Sequence, residues 1–67
     1  MTVCERLRQV RESKKVSRGQ LEIKSKVPQR TIRSYEVYGH APSFINILKL
    51  TKALGISLDE FAEGITE

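Results

Sequence analysis

Residues 17–36 read SRGQLEIKSKVPQRTIRSYE, and the fold turns on how this stretch is parsed. Ser17 with Gln20 three residues later is a capping-box pattern, which predicts a helix starting there with Leu21 as its apolar anchor. Ser25-Lys26-Val27-Pro28 then breaks the pattern. Proline is excluded from a helix interior but tolerated at the first helical position, and it pushes the preceding Val27 towards extended backbone. From Pro28 a helical period resumes, with Ile32 and Tyr35 on one face and Gln29, Arg30, Arg33 and Ser34 on the other. The stretch therefore predicts two short helices, about 18–25 and 28–36, with Val27 buried in the tight turn between them.

Upstream, Val3, Leu7 and Val10 fall at i, i+4 and i+7 and predict an amphipathic helix over about 2–14, closed by Lys14-Lys15, since cations are favoured at a helix C-terminus. Val16, just ahead of the Ser17 cap, can staple onto the following helix. Downstream, VYGHAPS (37–43) reads as a loop because of Gly39 and Pro42, with Tyr38 and His40 inside it. Ser43 is placed to cap a fourth helix over about 44–54, ended by Gly55. Its wheel points Phe44, Ile47, Thr51 and Leu54 one way, with Leu48 and Leu50 on the flanks and Ile45 outward. Ser57 and Glu60 form a second capping box, opening a fifth helix with Leu58 and Phe61 inward, and Gly64 ends it before a tail at 65–67 expected to fray. The expected architecture is all-α and a single domain over 1–67. Its five short helices surround Leu7, Val10, Leu21, Val27, Ile32, Tyr35, Phe44, Ile47, Leu54, Leu58 and Phe61. Within it, residues 17–36 form a helix-turn-helix with Gln and Arg turned outward.

A chain of 67 residues is expected to hold one small core and no separate effector domain, and 39% hydrophobic with 30% charged residues suits a folded protein, not a disordered one. No apolar run approaches the roughly 20 residues that span a bilayer, and MTVCERLRQVR lacks an apolar signal core. The single cysteine, Cys4, cannot close an internal disulfide, which fits a reducing cytoplasm. Charge is uneven. Residues 1–40 carry ten Lys/Arg against Glu5, Glu12, Glu22 and Glu36, a net +6, whereas 41–67 carry Lys49 and Lys52 against four acids, a net −2. A basic half beside a mildly acidic half points to a polyanion on one side. His40 stands alone, with no second metal ligand at useful spacing. With no paired carboxylates, nucleophile–base set, metal cluster or phosphate loop, the expectation is a non-enzymatic protein without cofactor, metal or small-molecule ligand.

LRQVRESKKVS, the helix-turn-helix ending in TIRSYE, and the closing string APSFINILKLTKALGISLDEF together resemble the Cro/repressor-type helix-turn-helix family, the lambda-repressor-like fold, from Val3 to Gly64. The resemblance implies operator DNA bound by a symmetric homodimer, with the third helix in the major groove. It places base-reading positions on Gln29, Arg30 and Ser34 with Arg33 beside them, and a phosphate contact on Arg18. Ser17, Lys26, Thr31 and Tyr38 are the further candidate phosphate contacts. It also implies a salt bridge between Arg11 and Glu36. The chemistry agrees independently, since Gln pairs with adenine, Arg with guanine, and an exposed helix N-terminus accepts phosphate. Two positions depart from the family: Glu22 stands where a small residue is usual, and Lys26 where glycine is usual, so Lys26 is expected to be left-handed at a cost of about 1 kcal/mol. Ile23 falls on the outward face. The alternatives are a protein-interaction module such as an antitoxin or phage accessory protein, signalled by an exposed apolar groove, and an RNA binder, for which Tyr35 and Tyr38 are too few aromatics.

Overall fold

A computed structural model describes residues 1–65 of the chain. Among them the order is α1 (Val3–Ser13), α2 (Arg18–Ser25), α3 (Gln29–Tyr38), α4 (Phe44–Leu54) and α5 (Leu58–Glu63), packed into 30 × 24 × 22 Å. Helices α1, α2, α4 and α5 begin where side chains satisfy their first N–H groups, whereas α3 has no side-chain cap. Ser17 Oγ accepts from Gln20 N at 3.1 Å while Ser17 N donates to Gln20 Oε1 at 2.9 Å, and Ser57 with Glu60 repeats the arrangement. Ser43 Oγ caps α4 by accepting from Asn46 N at 3.1 Å. A further capping box, Thr2 with Glu5, starts α1. Gly55 ends α4 at φ 76°, a conformation open to glycine at little cost.

The third helix differs from its sequence reading at both ends. Pro28 is not its first residue but its N-cap, at φ −56° and ψ 140°, and its carbonyl accepts from Ile32 N at 3.0 Å. At the other end the helix continues through Val37 and Tyr38 and stops at Gly39, whose left-handed backbone (φ 70°) turns its N–H onto the Ser34 carbonyl. Residues 37 and 38 are thus helical, not loop, because the stop signal is the glycine and not the end of the apolar period.

The buried core consists of Leu7, Val10, Leu21, Val27, Ile32, Tyr35, Ile47, Leu50, Leu54 and Phe61. Helix α2 packs on both α3 and α4, while α1 joins α3 to α5. Five sequence expectations are corrected. Leu50 is fully buried, whereas Phe44 is 65% exposed and Leu58 also reaches the surface. The inward face of α4 is centred on Ile47, Leu50 and Leu54, so Phe44 in the first turn overhangs the core. Similarly, Leu58 opens α5 at the surface, and Ile56, ahead of it, packs against the core in its place. Val3, at the start of the α1 stripe, is exposed, and Ile65 packs against the core where fraying was expected; Thr66 and Glu67, from the same tail, lie outside the described residues.

Arg6 closes α5 onto α1. Its Nε donates to Phe61 O at 2.9 Å and its Nη2 to Glu60 O at 2.6 Å, satisfying carbonyls in the last turns of α5. A Cβ at Gly64 would collide with this guanidinium, so the bare backbone there gives Arg6 its access. The core assignment is directly testable by chemical denaturation. Leu50→Ala should cost about 2–5 kcal/mol through lost contacts and a cavity, whereas Phe44→Ala should stay within about 0.5 kcal/mol. Comparable losses for the two would contradict the rotation of α4 described above.

Candidate nucleic-acid interface

The turn between α2 and α3 sets the direction of every side chain on α3. Lys26 adopts φ 63° and ψ 18°, the left-handed conformation expected of it, and its N–H bonds Glu22 O at 2.8 Å. Ser25, buried in the turn, donates from Oγ to Leu21 O at 2.6 Å and accepts from Val27 N at 3.1 Å. Val27 is thereby held inward at 1% exposure. Glu22 is half-buried, and Ile23 is 79% exposed. With Ile32 and Tyr35 anchored in the core, and the Tyr35 hydroxyl accepting from Asn46 Nδ2 at 2.7 Å, α3 cannot rotate about its axis.

The opposite face of α3 is exposed and carries Gln29, Arg30 and Arg33. Gln29 lies over Gly19, where the first turn of α2 meets α3. Ser34 is half-buried, and its hydroxyl pairs with His40 Nδ1. Tyr38 is exposed at the last helical position, with the Arg33 guanidinium 5.6 Å from its ring centroid. Among the candidate phosphate contacts, Lys26 is exposed and Thr31 half-buried, while the Ser17 hydroxyl is already committed to capping α2. Val37 was not singled out from the sequence, yet it is exposed among the polar side chains of this face. The available signal was Gly39, which as a left-handed stop extends the helix past residue 36.

Arg11 donates from Nε and Nη2 to the two carboxylate oxygens of Glu36 at 2.7 and 2.9 Å, and from Nη1 to Val16 O at 2.8 Å. Arg18 also turns to Glu36, with Nε on Oε1 at 2.9 Å. The phosphate role suggested for Arg18 is thus joined by a structural one that its sequence position did not reveal. The Glu36 side chain is fully enclosed, with 0% of its surface exposed. Burial by itself would push this carboxyl up, but the hydrogen bonds and charges of Arg11 and Arg18 outweigh it and hold it below the ordinary carboxylate range.

Residues 7–61 match the helix-turn-helix family. This places the chain in a class of DNA-binding regulatory domains, and it belongs to the Cro/repressor type of that family. No curated protein and no solved structure is matched by the chain. Among the described residues no helix is long and apolar enough to cross a membrane, and no cluster of three or more metal-ligating side chains occurs.

The Glu36 cluster generates two expectations. Arg11→Met should destabilise by about 3 kcal/mol, the low end for breaking a buried pair, because Arg18 remains on Oε1. The exposed Arg8–Glu12 bridge, at 3.3 Å, should be worth only about 0–1 kcal/mol when broken. Because the folded-state pKa of Glu36 is depressed, its contribution is fully present above the unfolded carboxyl value of about 4.3 and is lost as pH falls through the lower folded value. Acid titration of the unfolding free energy should therefore show a fall below that point which Glu36→Gln flattens. Glu5, also depressed through its bonds to Thr2, would leave a residual slope. A variant with the wild-type slope would show that Glu36 is not the titrating group.

Proposed function

We propose that the chain binds double-stranded DNA sequence-specifically by placing α3 in the major groove, and that it acts as a transcriptional regulator of the repressor type. One observation carries this reading: α3 is locked by Ile32 and Tyr35 while Gln29, Arg30 and Arg33 stand exposed together on its far side. These are side chains able to distinguish base pairs, Gln by bidentate bonding to adenine and Arg to guanine, with Ser34 able to bond either. Lys26, Thr31, Ser17 and Tyr38 flank them as phosphate contacts. Arg18 is a lesser one, since its Nε serves Glu36.

A homodimer follows from the same reading, because one helix of ten residues spans too few base pairs for high selectivity, and two copies would read half-sites about 34–36 Å apart. The mildly acidic half supplies the contact: α5, the C-terminal residues and the exposed Ile45. The protein-interaction alternative also has support from one feature, an apolar groove lined by Val3, Cys4, Ala41, Pro42, Phe44 and Ile47.

Selection of bound sites from random duplex DNA tests the main reading. A recovered motif with two half-sites one turn apart is expected; recovery of no motif would favour the protein-interaction role. On the selected duplex, Arg30→Ala should cost about 1–3 kcal/mol and relax preference at one base position. Lys26→Gly should act differently, weakening selected and random duplexes equally and lowering the salt slope by about one unit. The same substitution relieves left-handed strain and should stabilise the free protein by up to about 1 kcal/mol. Uniform weakening of all duplexes by Arg30→Ala would reduce α3 to a non-specific electrostatic contact.

A further inference from the structure

Two rings meet at the C-terminal end of α3, one on its last residue and one just beyond it. Tyr38 is the last helical residue, and Arg33 Cζ lies 5.6 Å from its ring centroid, inside cation–π range. Near Tyr38 lies His40, with ring centroids 6.1 Å apart and planes inclined by 33°. His40 is itself held at two points. Its Nδ1 pairs with Ser34 Oγ on α3, and its carbonyl accepts from Cys4 Sγ on α1 at 3.3 Å. Gly39, left-handed at φ 70°, folds the chain back so that residue 40 can meet residues 34 and 38.

We propose that Tyr38 is a positioning residue for DNA reading, its ring, with His40 beside it, holding the Arg33 guanidinium in a fixed direction along the exposed face of α3. The inference rests on the proposed base-reading role of α3. A solvent-exposed arginine populates many rotamers, and each must be given up when it bonds a base. A side chain already held over a ring loses fewer, and the planar guanidinium keeps its hydrogen-bonding edges while its face lies on the ring. Arg30 has no such ring contact among the described residues, so it serves as an internal reference on the same helix.

The experiment compares Tyr38→Leu with Tyr38→Phe on the duplex selected by the wild-type chain and on a random duplex. The base position read by Arg33 is defined as the one that Arg33→Ala relaxes. Tyr38→Leu should reduce discrimination at that position about two- to five-fold and leave the position read by Arg30 unchanged. Tyr38→Phe keeps the ring, so its ratio of selected to random affinity should match wild type, whatever the lost hydroxyl does to both affinities together. Without DNA, the ring-current shift of the Arg33 side-chain protons should persist in Tyr38→Phe and vanish in Tyr38→Leu. Full discrimination in Tyr38→Leu overturns the proposal, as does an equal loss in Tyr38→Phe or absence of the ring-current shift from the wild-type protein. A wild-type chain that prefers no duplex sinks the proposed function itself, and is told apart from those outcomes because no ratio then exists to change.

Discussion

A single buried carboxylate joins the three helices that frame the proposed DNA surface. Glu36 sits near the end of α3 with its side chain fully enclosed, and the guanidinium groups on it come from α1 and α2. Burying an ion is costly unless its lone pairs are met by charged donors, and here three N–H groups meet them at 2.7–2.9 Å. The consequence is geometric. The three helices that frame the proposed DNA surface share one polar node, and Arg11 extends it to the Val16 carbonyl just ahead of the α2 cap. The bidentate fork of Arg11 fixes orientation as well as distance, which a lysine could not do.

The turn between α2 and α3 is fixed by its own contacts. Lys26 is held left-handed although it has a Cβ, a strain of about 1 kcal/mol that persists because the surroundings determine it. Ser25 on the Val27 N–H and Val27 in the core leave the chain no other path. Strain here stands beside the exposed cation of Lys26, on the approach to α3. A glycine would make the same turn more easily but would leave no charge at that point.

The two exposed faces of the molecule differ in chemistry. Helix α3 shows guanidinium and amide groups, while α4 shows Phe44, Ile45 and Leu48 beside an apolar groove floored by Ile47. Guanidinium and amide groups occupy one face and apolar groups the other, so one 67-residue domain presents two chemically distinct surfaces.

The helices themselves were legible in the sequence because their signals are local. Ser17–Gln20, Ser43 and Ser57–Glu60 act within one turn of chain, as does Gly55, so α2 and α4 are read to the residue. The exposed face of α3 was legible for a similar reason: Ile32 and Tyr35 fix the inward direction, and Gln29, Arg30 and Arg33 take what is left. Arg11 with Glu36 came from the family resemblance and not from spacing, since no local rule joins residues 25 positions apart. Tertiary packing alone decided the rest. It turned α4 so that Leu50 is buried and Phe44 is not, because which stripe of a broadly apolar helix faces inward depends on where α2 lies. It also drew Arg18 onto Glu36, took Arg6 to the carbonyls of α5, and brought His40 back to Ser34 and Tyr38. A long cationic side chain can reach many partners, and only the assembled fold determines which carboxylate, carbonyl or ring lies within its reach.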